Sequence, residues 1–263
     1  MSTLKYALIT GATSGIGYEL AKLFAIDGYS LVLVARYQEE LDTAVQTLGT
    51  LGAPKIMTLA KDLFDTQEAY EVYDEVKAAG IEIDVLVNDA GQGQYGEFIE
   101  TDLERELAII DLNISSLVIL TKRFLIDMVN RGEGKILNVS SIAGKMPGPL
   151  QAVYHGTKAF VHSFSEAIRN EVKDKGVTVT SLLPGPTETD FFNKADMNES
   201  KIVKEGSLAS AEVVARDGYD ALMAGKDKVV SGMKNKLQVA MSNVTPDEQV
   251  AQMMHNQQKP SDE

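Results

Sequence analysis

Short apolar runs alternate with amphipathic stretches along most of the chain, and this alternation limits the folds open to it. Runs such as SLVLVA at 30–35 are apolar at nearly every position rather than at every second one. That pattern is typical of parallel strands buried on both faces of a sheet. The predicted strands are 5–10, 30–35, 55–60, 83–87, 135–139, 177–183 and, more weakly, 228–231.

Helical patterns lie between these runs and would connect one strand to the next. The predicted helices are 16–26, 39–51, 67–79, 103–130, 150–174 and 211–224. Such alternation predicts an α/β fold with a doubly wound, mainly parallel central sheet of about seven strands flanked by helices.

No linker or change of composition divides the chain, so we expect a single domain over residues 1–254. Residues 184–208 are polar and rich in turn residues, which predicts a flexible substrate flap. A short helix is expected from about Asp247, with Thr245 as its cap. The polar residues 255–263 are expected to form a frayed tail.

The charge balance excludes one class of partner. The formal net charge is −13 and lysine and arginine form no cluster, whereas a nucleic-acid partner requires a basic surface. No apolar run approaches the roughly 18 residues of a membrane-spanning helix, so no membrane partner is expected. The chain lacks cysteine, which excludes thiol catalysis and favours a cytoplasmic location.

The three histidines give no sign of a metal site. His155, His162 and His255 have no pattern of ligands around them. We therefore expect no metal, and His155 is interpreted as a packing or surface residue.

The first strand runs directly into TGATSGIG, which predicts a phosphate-binding loop. Gly11, Gly15 and Gly17 allow a tight turn and a close approach of backbone N–H groups to a diphosphate. The helix that follows adds the partial positive charge of its N-terminus.

This loop resembles the glycine motif of the short-chain dehydrogenase/reductase family, and the resemblance extends over about residues 4–232. It implies a Rossmann fold and a nicotinamide cofactor. KDL at 61–63 resembles the family's aspartate after the third strand, so Asp62 would contact adenine. NDAG at 88–91 resembles the family's Asn-Asn-Ala-Gly, with Asp89 as a departure.

The end of the second strand bears on the type of cofactor. An acidic residue there would bind the adenosine ribose and repel a 2′-phosphate. This chain instead has Ala35 followed by Arg36, and arginine binds phosphate by charge-assisted hydrogen bonds. NADP(H) is therefore favoured, with NAD(H) as the alternative.

Tyr154 and Lys158 are four residues apart in the helix predicted over 150–174, so both project from one face. A tyrosine is a poor acid–base group near pH 7, and an adjacent ammonium would lower its pKa. Tyr154 would then act as the proton donor in the reduction of a carbonyl.

The family resemblance supplies the remaining site residues. Ser141 matches the serine that orients the substrate oxygen, and Asn113 matches the asparagine behind the lysine that holds a water. PGPTETD at 184–190 resembles the segment that binds the nicotinamide amide. The implied catalytic residues are Asn113, Ser141, Tyr154 and Lys158; the implied cofactor-binding residues are Gly11, Thr13, Ser14, Gly15, Ile16, Gly17, Arg36, Asp62, Leu63, Asn88, Ala90, Gly91, Tyr154, Lys158, Pro184, Gly185, Thr187 and Thr189.

These residues predict an NADPH-dependent oxidoreductase that reduces a ketone or aldehyde, with a small-molecule carbonyl or alcohol as substrate. The alternatives are a 3-oxoacyl-carrier-protein reductase and a non-catalytic NADP(H)-sensing protein, which the fold alone does not exclude. The substrate pocket is expected between 92–98, 142–153 and the flap. The resemblance also implies a homodimer or homotetramer formed through the helices over 103–130 and 150–174.

Overall fold

The computed structural model describes residues 4–261. Within them, seven parallel strands form the central sheet in the order Ile56–Ala60, Ser30–Ala35, Tyr6–Thr10, Val85–Asn88, Gly134–Val139, Val177–Leu183 and Lys228–Val230. The predicted doubly wound α/β fold is confirmed. The strands are β1 Tyr6–Thr10, β2 Ser30–Ala35, β3 Ile56–Ala60, β4 Val85–Asn88, β5 Gly134–Val139, β6 Val177–Leu183, the short pair β7 Thr187–Glu188 and β8 Ala209–Ser210, and β9 Lys228–Val230.

Helices cover both faces of this sheet. They are α1 Gly15–Ile26, α2 Gln38–Thr50, α3 Thr66–Ala78, α4 Leu103–Ile110, α5 Leu117–Arg131, α6 Ala152–Val172, the single turns α7 Phe191–Lys194 and α8 Lys201–Lys204, α9 Ala211–Met223, α10 Met233–Ser242 and α11 Asp247–Gln258.

The apolar strand residues make two cores, one on each face of the sheet. Phe24 of α1, Leu41 of α2 and Leu222 of α9 pack on one face. Val72 of α3 and Leu120 of α5 belong to the cluster on the other, together with residues of α6. The continuous apolar runs of the sequence are therefore explained by burial on both faces.

The order of the strands reverses between β1 and β4. Crossovers on the two sides of that point lie on opposite faces, so a crevice opens at the carboxyl ends of these strands. The glycine loop follows β1, and residues 89–91 follow β4, so both lie at this crevice.

The helix predicted over 103–130 is interrupted. Residues Asp111–Ser116 form a π-helical turn between α4 and α5. Such turns occur mostly at functional sites, and this one carries Asn113. The helix predicted over 150–174 is shorter than expected, because it runs from Ala152 to Val172.

Residues 184–208, predicted as a flap, contain short regular elements. Strand β7 pairs with β8, and α7 and α8 lie between them. The flexibility of this segment stays a prediction.

The segment after β9 differs most from expectation. Helix α10 was not predicted, and α11 begins at Asp247 as predicted, but Pro246 rather than Thr245 is at its N-cap. The Thr245 hydroxyl donates instead to the Met241 carbonyl. The predicted frayed tail from residue 255 is also wrong as far as Gln258, which is 2% exposed in α11; residues 262–263 lie outside the described part.

Candidate active site

A cleft of about 810 Å³ lies at the carboxyl ends of the central strands. Its walls come from the glycine loop, the ends of β2 to β6, the start of α6, residues 184–209 and the C-terminal helices. Of the predicted site residues it brings together Gly11, Thr13, Ser14, Gly15, Ile16, Arg36, Asp62, Leu63, Ala90, Gly91, Ser141, Tyr154, Lys158, Pro184, Gly185, Thr187 and Thr189. Gly17, Asn88 and Asn113 are not part of the lining.

The glycine loop has the shape that an anion site needs. Gly11 and Gly15 adopt φ of +69° and +57°, a region that side chains rarely enter. An added Cβ at Gly15 would lie 2.9 Å from Thr189 Cγ2. Ser14 is the N-cap of α1 and makes no side-chain cap bond, so N–H groups of this first turn remain for a ligand. The loop fits a dinucleotide diphosphate.

Arg36 lies at the end of β2, where it lines the cleft. Its guanidinium stacks on the Tyr37 and Phe64 rings, 5.2 and 5.6 Å from their centroids. It forms no ion pair among residues 4–261, so its charge is open to a phosphate. Glu40, which was not predicted, also lines the cleft and accepts a hydrogen bond from the Thr13 hydroxyl at 2.8 Å. A carboxylate therefore lies at the same end of the cleft as the cation.

Asn88 links the end of β4 to neighbouring elements by hydrogen bonds. Its side chain is buried and donates to Thr121 Oγ1 and to Asn138 Oδ1, at 2.9 and 2.8 Å. These bonds join the end of β4 to α5 and β5, and the side chain does not line the cleft. The cofactor contact of Asn88 stays a prediction.

Asn113 is buried behind the cleft in the π-helical turn. Its Nδ2 donates to the Gln92 carbonyl at 2.8 Å and to Thr157 Oγ1 at 3.0 Å, and its Oδ1 accepts from the Gln92 N–H at 2.9 Å. A Cβ added to Gly91 would lie 3.2 Å from both Asn113 Oδ1 and Lys158 Nζ. The π turn therefore fixes Asn113 beside the ammonium, and its role in holding a water stays a prediction.

Ser141 and Tyr154 meet across the cleft. The Ser141 hydroxyl donates to the Pro184 carbonyl at 3.3 Å and accepts from the Ala143 N–H at 3.0 Å, and it lies close enough to the Tyr154 hydroxyl to lower the pKa of that phenol. The Tyr154 ring packs against the Phe191 ring with centroids 4.9 Å apart. The phenol is therefore held between a polar partner and an apolar wall.

Lys158 lies one helical turn after Tyr154, and it is 6% exposed. Its ammonium donates to the Val139 carbonyl at 2.9 Å and lies 5.9 Å from the centre of the Tyr154 ring. The adjacent Ser140 hydroxyl donates to the Lys158 carbonyl at 2.7 Å. Strand β5 and the residue after it thus anchor helix α6.

The acid–base properties differ from the sequence prediction. Burial raises the pKa of Tyr154 to about 12, against the lowering effect of the Ser141 hydrogen bond, and the Asp89 charge raises it further. Burial also lowers the pKa of Lys158 to about 8, opposed by Asp89. The pKa of Tyr154 is thus raised rather than lowered as predicted from the adjacent ammonium, because burial disfavours the charged phenolate.

The C-terminal segment closes the far end of the cleft. The Tyr95 hydroxyl donates to the Gln258 carbonyl at 2.7 Å, and the Gln258 side-chain amide lies 3.1 Å from His155 Nε2. Met254 and Gln238 also line the cleft. No motif in the sequence marked these contacts, although the interpretation of His155 as a packing residue agrees with its burial.

The predicted pocket wall is correct in part. Within the three predicted segments, Gln92, Met146 and the Phe191–Phe192 pair line the cleft, whereas Tyr95, Pro147 and Leu150 do not. Within residues 4–261 no group of metal-ligating side chains is found, and no helix has the length and apolar character needed to cross a membrane.

Comparisons with known proteins agree with this geometry. A family profile described as short chain dehydrogenase matches residues 5–200. A very-long-chain 3-oxoacyl-CoA reductase of Danio rerio is 39% identical over 186 residues, which cover 68% of this chain and 57% of that protein. The chain thus spans less than two thirds of that reductase.

Two further proteins are similar over more of their length. An uncharacterized oxidoreductase of Staphylococcus saprophyticus is 31% identical over 211 residues, covering 80% of this chain and 90% of that protein. The solved structure of a short-chain dehydrogenase from Sphingobium yanoikuyae in complex with NADPH has a TM-score of 0.82 and 27% identity, covering 92% of this chain and 95% of that one.

Proposed function

The chain belongs to the short-chain dehydrogenase/reductase family of oxidoreductases, and on that basis we propose that it reduces a ketone or aldehyde to an alcohol with NADPH. The observation that carries the proposal is the meeting of Ser141, Tyr154 and Lys158 beside an anion-binding glycine loop in one cleft. When bound, the reduced nicotinamide supplies the hydride that the carbonyl carbon accepts.

Tyr154 is the proton donor in this mechanism. With a pKa near 12, its hydroxyl stays protonated at pH 7 and can give its proton to the oxygen that gains negative charge. Ser141 lies beside the Tyr154 hydroxyl and would orient the carbonyl oxygen by donating a hydrogen bond to it. In the reverse direction Tyr154 must lose its proton first, so the high pKa favours reduction near neutral pH.

After Tyr154 has given up its proton, Lys158 and Asn113 would return a proton to it. Lys158 stays close to Tyr154 because the Val139 carbonyl accepts its N–H. Asn113 Oδ1 faces the same space near Gly91, where a carbonyl oxygen can accept from an ammonium or a water. The route from solvent to Tyr154 would therefore pass along the buried side of α6.

The preference for NADPH rests on Arg36. Its guanidinium lies 5.2 and 5.6 Å from the Tyr37 and Phe64 ring centroids at the edge of the cleft, and arginine suits a phosphate because it binds it by paired hydrogen bonds. Glu40 lies at the same end and opposes an added phosphate charge, so we propose a preference rather than exclusive use of NADPH. The similar Sphingobium protein, whose structure is in complex with NADPH, supports this choice.

A thioester of a 3-oxoacyl chain is the second candidate substrate. It is favoured by the Danio rerio relative, a 3-oxoacyl-CoA reductase, and by a cleft that combines Met146 and Phe192 with Lys194 and Lys201. The apolar residues would contact the acyl chain, and the two lysines would bind the phosphates of the carrier. The 3-oxoacyl-carrier-protein reductase predicted as an alternative would act on one kind of such a thioester.

A homodimer or homotetramer is also proposed. Leu103 and Leu107 lie on one face of α4 and are 62% and 46% exposed, and Phe160 of the contacting α6 is 40% exposed. An apolar surface of this kind favours a second copy of the chain. The cytoplasmic location stays a prediction.

The test compares wild type with Tyr154→Phe. NADPH and NADH oxidation would be followed with bulky ketones, aldehydes and acetoacetyl-CoA. We expect turnover that prefers NADPH and falls at least about 100-fold in the variant, with the Kd for NADPH changed little. Tyr70→Phe, on the exposed side of α3, is the control. Tight NADPH binding without turnover on any substrate would favour the NADP(H)-sensing alternative, and turnover that survives in Tyr154→Phe would refute the assignment.

A further inference from the structure

Asp89 is a titratable residue that the mechanism above does not use. It follows β4 at the position where the resembled family has a second asparagine, and this half-buried residue lines the cleft that would hold the dinucleotide. Its backbone N–H donates to Thr10 Oγ1 at 3.0 Å, which fixes the residue at the end of β1. The side chain is thus held where two strands and the glycine loop meet.

The carboxyl oxygens lie directly under the glycine loop. The Gly17 N–H, in the first turn of α1, lies close enough to the Asp89 carboxylate to lower its pKa. A Cβ added to Gly17 would be 2.5 Å from Oδ2, and one added to Gly11 would be 3.1 Å from it. A negative group therefore occupies part of the positive field that a helix N-terminus offers to a diphosphate.

Two other titratable groups, both from α6, face Asp89 among the described residues. The Lys158 ammonium attracts the carboxylate, and the Tyr154 phenol is affected by its charge. The glycine loop and α1 contribute backbone groups only. Burial raises the pKa of Asp89 to about 7, against the lowering effects of Lys158 and the Gly17 N–H. The carboxyl is thus divided between its two protonation states near neutral pH.

We propose that Asp89 takes up a proton when the dinucleotide binds, so that the affinity for NADPH falls as the pH rises. This inference rests on the cofactor proposed above. The diphosphate would bring negative charge to the glycine loop, against which the Asp89 carboxylate lies. Two like charges in a poorly solvated site repel one another. Protonation of one carboxyl oxygen from solvent removes the repulsion.

The same step prepares the proton donor. The ionised Asp89 raises the pKa of Tyr154, because a nearby negative charge disfavours the phenolate. A neutral Asp89 removes that effect, and Lys158 then has no negative partner within the cleft floor. Binding of the dinucleotide would therefore bring the Tyr154 hydroxyl closer to a useful acidity before the carbonyl substrate arrives.

Calorimetry of NADPH binding tests the linkage without turnover. Titrations at pH 7.5 in two buffers with different ionisation enthalpies give the number of protons taken up. For a group with a pKa near 7 that is protonated in the complex, we expect uptake of at least about half a proton. The Kd should rise roughly tenfold between pH 7 and 8.5, a range above the titration of the 2′-phosphate.

The isosteric Asp89→Asn variant separates this carboxyl from other groups. Its amide oxygen can still accept from the Gly17 N–H, and we expect its proton uptake and the pH dependence of its Kd to be largely lost. Asp42→Asn, which removes an exposed carboxylate from α2, should behave as wild type. NADPH binding to wild type with no proton uptake, or uptake equal in Asp89→Asn, would overturn the inference. Absence of binding at every pH would instead refute the proposed cofactor.

Discussion

The C-terminal helix offers a sharp test of how the cleft is closed. Met254 is 4% exposed and packs with Ile142, Met146 and Val250 in a small core, whereas Met253 beside it is 38% exposed. Truncation of a buried methionine to alanine costs about 2–5 kcal/mol, and a site near a helix end relaxes enough to favour the lower value. We expect Met254→Ala to cost about 2 kcal/mol, and Met253→Ala less than about 0.5 kcal/mol.

Hydrogen exchange of the α11 amides measures this cost locally. A loss of about 2 kcal/mol raises the open population of the helix roughly 30-fold. Because Met254 lines the substrate end and not the glycine loop, the KM for the carbonyl should rise while the Kd for NADPH stays constant. Equal exchange rates in Met254→Ala and Met253→Ala would refute the claim that α11 is held by this core.

Three further changes test other parts of the site. Glu40→Gln should raise the kcat/KM ratio for NADPH over NADH about fivefold, since roughly 1 kcal/mol of repulsion is removed, while Glu39→Gln at the preceding position of α2 should not. Asp89 has a pKa near 7 in the folded protein, above its unfolded value. Its contribution to stability is therefore complete below about pH 4 and is lost as the pH rises to 7. In denaturant titrations, the unfolding free energy of wild type relative to Asp89→Asn should fall by up to about 1.4 kcal/mol per pH unit in that range. Leu107→Lys should shift the oligomer toward monomer in light scattering, whereas Val213→Lys on exposed α9 should leave it unchanged.

The sheet and the positions of the catalytic residues were predictable because both are encoded locally. A strand buried on both faces needs an apolar residue at nearly every position, as in residues 30–35. The glycine loop and the Tyr154–Lys158 spacing are likewise short patterns. Local patterns of this kind determined the core of the fold and the residues that converge on it.

The remaining features depend on contacts between distant parts of the chain. Helix α10 has no buried residue, so it lacks the strong apolar stripe that marks a helix in sequence. The π turn around Asn113 keeps a helical pattern on both sides and is not distinguishable by periodicity. The direction in which the Tyr154 pKa is shifted depends on how deeply the phenol is buried, and burial is determined by the folded structure.

The closure by α11 has a consequence for the order in which the enzyme matures. Tyr95 and Gln258 are separated by 163 positions, and the bridge between Ser200 and Pro260 joins the flap to the same late segment. During translation, the glycine loop and the first strands leave the ribosome well before this segment exists. A nascent chain would therefore acquire its dinucleotide loop early, whereas the substrate end would stay open until residue 260 had emerged.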